Sequence, residues 1–144
     1  MERILLVCRE GSASSIISIL TLALETKKAG QDVDVLFTEE GLIAVCLGVF
    51  DWPRQFRGQA LRLRMADNGP ALGLPTMGGK GEARQLDARQ LVLNTVKAGV
   101  PVYASGFWTK LMGLQGQIPE GIKMLELDSA LERLESNSAR MPAI

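Results

Sequence analysis

The sequence predicts an α/β fold: a single three-layer α/β/α domain built on a mainly parallel, doubly wound sheet. Three observations predict it. A short, continuous apolar run at residues 3–8 (RILLVC) has the length and content of a strand covered on both faces, and residues 32–37 (DVDVLF) read as a second strand. The stretches that follow them switch to helical spacing. That alternation continues along most of the chain, and right-handed strand–helix–strand crossovers turn it into a parallel sheet with helices on both faces. A length of 144 residues suits one domain with one core. At 47% apolar and 22% charged residues, the composition is that of a folded protein.

After the first strand, residues 9–15 (REGSASS) form a Gly/Ser turn in which Ser12 or Ser14 can cap a helix. Ile16, Ile19, Leu20, Ala23 and Leu24 share one face of that helix. Lys27 and Lys28 suit its C-terminus, and Gly30 ends it. Following the second strand, Thr38 caps a helix in which Leu42, Val45, Cys46, Val49 and Phe50 recur at i, i+3, i+4, i+7 and i+8. Cys46 therefore belongs to the core. Trp52-Pro53 stops the helix.

Residues 51–86 read as an irregular Gly/Pro-rich insertion. Within it Leu61, Leu63 and Met65 alternate with Arg62 and Arg64, a pattern open between an edge strand and a short amphipathic segment. Residues 68–81 (NGPALGLPTMGGKG) are too long for an ordinary connector, which marks them as functional or as an interface. Asp87 then caps a helix bearing Leu91, Val92, Thr95 and Val96. Residues 100–104 (VPVYA) form a strand, and Ser105-Gly106 turns it into a helix around Phe107, Trp108, Leu111 and Met112. Residues 121–127 (GIKMLEL) give the last strand. Ser129 and Glu132 make a capping box for a final helix through Glu135, and residues 137–144 are expected as a frayed tail.

Composition excludes several chemistries. The chain has no histidine, so Ser-His-Asp and Cys-His nucleophiles are absent, as is the commonest metal ligand. Two cysteines, Cys8 and Cys46, are too few for structural zinc. No metal and no cofactor are expected. Sixteen basic and sixteen acidic residues leave no net charge, so nucleic acid is not an expected partner, whereas self-association is. No run approaches the roughly 18 apolar residues of a membrane span, and no signal-peptide pattern opens the chain, so a cytoplasmic location is expected.

In RILLVCREGS, in VDVLFTEEGLIAV, and above all in GVPVYASGFWTKLMGL, the chain resembles the DsrE/DsrF-like family of small sulfur-handling proteins over most of its length. The strand–turn–helix rhythm alone is also flavodoxin-like, which leaves a nucleotide binder as a weaker reading. The resemblance implies assembly into trimers or hexamers of like or related subunits. It also implies sulfur transfer through a persulfide on a cysteine just after the strand at residues 102–104. Ser105 stands at that position. A hydroxyl forms no persulfide, and no histidine is present to activate it.

The candidate site therefore lies at the C-terminal edge of the sheet, with Ser105 at the carrier position and Cys8 as the remaining thiol. Cys8 precedes a helix N-terminus and Arg9, both of which favour a thiolate, and is expected to share a crevice with Ser105. The turns at Arg9, Gly11 and Ser12, at Thr38 and Glu39, and at Gly106, Phe107 and Trp108 are expected to line it. Their backbone N–H groups suit a small anionic or sulfur-bearing ligand. Glu39-Glu40 also fits a helix N-terminus without any catalytic part. The stretch Gly78-Gly79-Lys80-Gly81 fails as a phosphate loop: Leu74 stands where the pattern needs glycine, and Gly81 follows the lysine. Two readings of function follow. One is a sulfur carrier acting through Cys8, and the other a non-catalytic binding or assembly subunit that keeps the fold without the chemistry.

Overall fold

A computed structural model describes residues 3–126 and 139–142. Its main sheet has five strands among the described residues, with every pairing parallel. The strands are β1 (Ile4–Cys8), β2 (Val33–Phe37), β5 (Val102–Ser105), β6 (Lys123–Leu125) and β7 (Ala139–Pro142). From β1 the chain steps through β2 and β5 to the β6 edge, and β7 then takes the other side of β1. The winding thus reverses at β1. The predicted α/β class with a parallel sheet flanked by helices is what the chain adopts.

Register sorts the strand residues by face. Leu6, Val35 and Val102 are aligned, as are Cys8, Phe37 and Ala104. These six are buried and join the larger apolar cluster. Helix α1 (Ala13–Lys28) contributes Ile16, Ile19 and Leu20 to it, α2 (Glu39–Leu47) adds Leu42 and Val45, and α4 (Ala88–Lys97) adds Leu91 and Val92. The other face carries Leu5, Leu36 and Leu125 in a smaller cluster. On that face lies fully buried Asp34, whose carboxylate accepts from Arg3 Nε at 2.7 Å and Nη2 at 2.8 Å. The bidentate geometry answers the desolvation cost of the buried charge.

Two helices carry the expected caps. Ser12 Oγ accepts from Ser15 N at the start of α1, and Asp87 Oδ1 accepts from Gln90 N at the start of α4. Elsewhere the structure corrects the sequence. Thr38 precedes α2 but makes no side-chain cap. The same helix stops at Leu47, because Gly48 turns left-handed at φ 69°, so Val49 and Phe50 lie beyond it. The choice left open for residues 59–68 falls against the edge strand: within the insertion expected to be irregular they form helix α3 (Gln59–Asn68). The long loop is partly ordered by a two-stranded antiparallel ladder, β3 (Thr76–Met77) with β4 (Gln85–Leu86). Part of the expected frayed tail is strand β7. The capping box Ser129/Glu132 and the helix after it lie outside the described residues. No helix among the described residues is long and apolar enough to cross a membrane.

Candidate functional site

Two turns meet at the C-terminal ends of β1 and β2, beside the strand where the winding reverses. Open α/β sheets place their ligands outside the carboxyl ends of their strands. The turns are interlocked through backbone contacts. Thr38 N donates to the Cys8 carbonyl at 3.0 Å, and Gly41 N donates to the Arg9 carbonyl at 3.0 Å. A Cβ on Gly41 would stand 2.6 Å from the Cys8 carbonyl oxygen, and one on Gly11 would stand 2.7 Å from that of Glu40. Only glycine permits so close an approach. Between them, Glu39 holds φ at 55°, the sole non-glycine residue among those described with positive φ. A side chain adopts that left-handed geometry at a cost, and such strain gathers at functional turns.

These turns line an open cleft of about 570 Å³ formed by Arg9, Glu10, Gly11, Ser12, Glu39 and Glu40. Arg9 Nε lies 3.1 Å from Glu39 Oε2 across it. Ser15 Oγ donates to Glu10 Oε2 at 2.8 Å and is itself reached by Ser12 Oγ at 2.9 Å. A neighbouring cavity of about 510 Å³ shares Gly11, Ser12 and Glu40 and is walled by Ile43, Leu47 and Trp52. The expected residues Arg9, Gly11, Ser12 and Glu39 are thus brought together. Thr38 is buried beneath them. Glu10, outside the expected set, joins them, as does Glu40, which the sequence offered only as a charge at a helix start. Three carboxylates against one guanidinium give the cleft an acidic lining. That opposes the expected anionic ligand, since a small anion meets like charge there. No cluster of metal-ligating side chains occurs among the described residues.

The thiol at this edge is not the thiolate that the helix terminus and Arg9 predict. Cys8 has no solvent exposure, and its Sγ donates to the Glu10 carbonyl at 3.5 Å. Burial pushes its pKa up to about 12, with the Glu10 charge adding to the shift. Desolvation outweighs the dipole, so the group is a protonated core thiol at neutral pH. Cys46 is half-buried on α2 beside a separate cavity of about 200 Å³, and burial pushes its pKa up as well.

Nor do Cys8 and Ser105 open onto one crevice. Strand β2 separates them, which sets them roughly 9–10 Å apart by strand spacing alone. Cys8 also aligns with Ala104 through Phe37, so Ser105, one residue further, points to the opposite face. Ser105 is the N-cap of α5 (Gly106–Met112): its Oγ accepts from Trp108 N at 3.4 Å. Gly106 packs so closely that a Cβ would stand 2.8 Å from the Leu125 carbonyl oxygen. Phe107 is half-exposed, and Trp108 meets it edge-on at 5.5 Å while packing against the core. None of these four lines the acidic cleft.

Solved structures share this fold, among them the two that follow. The YchN protein from E. coli aligns with a TM-score of 0.61 at 17% identity, covering 99% of each chain. A conserved protein of unknown function from Bacteroides thetaiotaomicron aligns with a TM-score of 0.59 at 12% identity, over 98% of this chain and 94% of the other. At these identities the likeness is one of fold: a mainly parallel sheet flanked by helices. No family model matches the chain, and neither does any curated protein.

Proposed function

We propose that this chain is a DsrE/DsrF-like protein of sulfur metabolism that acts as a binding and assembly subunit, without a persulfide carrier of its own. One observation carries the reading: the hydroxyl at the carrier position is engaged as a helix cap, and the one thiol at this sheet edge is buried and held protonated. A carrier needs an accessible thiolate. The cleft formed by Arg9, Ser12 and Glu39 is the proposed binding site, and its acidic lining suits a sulfur-bearing ligand without net negative charge. Exposed Leu47 on α2, with Phe107 and Leu111 on α5, supports self-association.

Exposure of the native protein to a persulfide donor, followed by intact mass and peptide mapping, tests this. Cys8 is expected to stay unmodified until the chain is denatured. A sulfur adduct on the native wild type that disappears in Cys8→Ser would return the carrier role to Cys8 and overturn the reading.

A further inference from the structure

The segment between α2 and α4 builds a cavity that the sheet edge does not use. It lies between α1 and α3 and has a volume of about 390 Å³. Ligand pockets occupy roughly 300–1,000 Å³. Its walls are apolar: Ile17, Trp52, Phe56, Leu61, Met65 and Leu86. Trp52 and Phe56 form an aromatic side to it, with ring centroids 5.7 Å apart.

Among the described lining residues only one, Arg64, is charged. Three neighbouring arginines are already committed. Arg57 Nε donates to the Trp52 carbonyl at 2.8 Å, Arg62 donates to the Glu82 carbonyl, and Arg84 holds Asp67 through two bonds of 2.6 and 2.9 Å. Arg64 is exposed and makes no hydrogen bond or ion pair with any described residue. An unengaged guanidinium at the mouth of an apolar groove complements a ligand with an apolar body and one anionic head, and its fork suits a carboxylate.

We propose that this groove binds a small amphipathic carboxylate. The apolar body lies along Trp52, Phe56 and Met65, and the carboxylate pairs with Arg64. This site is separate from the acidic cleft and independent of the sulfur reading.

Calorimetric titration of the full chain with octanoate and with octanol tests it. Octanoate is expected to bind at least about tenfold more tightly than octanol, as a charge-assisted pair adds to apolar burial. Arg64→Gln removes no bond to any described residue, so it should preserve folding and abolish that preference. Ser18→Phe, at an exposed position on the lining, should weaken both probes. Equal affinity for the two probes, no binding of either, or an octanoate preference that survives Arg64→Gln would each overturn the proposal. So would self-association that Leu72→Asp abolishes and octanoate leaves untouched, since the groove would then belong to a second copy.

Discussion

The sheet edge and the groove under α3 are built from opposite materials. At the edge, backbone meets backbone: Gly11 and Gly41 sit against carbonyl oxygens, Glu39 takes a left-handed turn, and the exposed groups are mostly carboxylates. In the groove, side chain meets side chain, and the single charge is a guanidinium with nothing to hold it among the described residues. A site made by backbone approach tolerates almost no added atom. One made by side chains yields and repacks. The comparison teaches where each region is rigid and which ligand charge each accepts.

The sharpest contrast is a pair of glycine substitutions. Gly41→Ala forces a methyl group to 2.6 Å from the Cys8 carbonyl, where no flexible side chain can give way. It should cost about 3 kcal/mol, at the upper end for overpacking. Gly58→Ala, at the start of α3, meets nothing within 4 Å and has ordinary extended geometry. Its cost should stay below about 0.5–1 kcal/mol, the usual loss for alanine at a cap. Urea unfolding of both variants decides the matter. Equal losses would mean the edge is less tightly interlocked than its backbone contacts indicate.

Alkaline pH probes the same edge through Cys8. Its thiol is held protonated to about 12 in the folded chain, against 9.0 as its ordinary value. Above pH 9 the unfolded chain releases a proton that the folded one retains, so stability is complete below pH 9 and falls as pH rises toward 12. The slope from this one group is about 1.4 kcal/mol per pH unit, or about 2 kcal/mol by pH 10.5. Cys8→Ala should lose that slope while keeping the contributions of other groups. Parallel curves for the two proteins would show that the thiol ionises freely in the fold, and the carrier reading would regain its footing.

These two tests also mark what the sequence reveals. The run RILLVC announces a strand, yet a continuous apolar run does not say which residue faces which side. The register with Phe37 and Ala104 supplies that, and it turns Cys8 and Ser105 away from each other. Strands and most helices were legible because the apolar period changes at Ser12, Thr38 and Asp87. Helix α3 was legible only as an open choice: Leu61, Leu63 and Met65 recur every second residue, which imitates a strand as well as it suits a short amphipathic segment. Folding places Leu61 and Met65 along the groove at i and i+4. The end of α2 was missed because Val49 and Phe50 continue its register past Gly48. Charge was legible residue by residue, but only the meeting of two turns made Glu10, Glu39 and Glu40 one acidic surface.

A smaller effect is expected at Ser105. Ser105→Ala removes the acceptor for Trp108 N at the start of α5, and loss of an N-cap costs about 1 kcal/mol. Ser105→Cys keeps a weaker acceptor there and places a thiol at the same point. Its thiol is half-buried in position, unlike fully covered Cys8, so native-state labelling should reach it well before Cys8. Labelling of Cys8 at the same rate would contradict the burial that separates the two.

The least change in stability is expected from Arg9→Ala, although Arg9 is the one cation of the acidic cleft. Its partner Glu39 lies 3.1 Å away, but the two side chains are 60% and 37% exposed. Solvent and salt screen such a pair, which is worth under about 0.5 kcal/mol. The turn itself is fixed by the Arg9 carbonyl, which the substitution leaves in place to accept from Gly41 N. Arg9→Ala should therefore unfold at nearly the wild-type urea concentration while making the cleft more acidic. A loss comparable to that of Gly41→Ala would mean that the side-chain pair, not the backbone contacts, holds the two turns together.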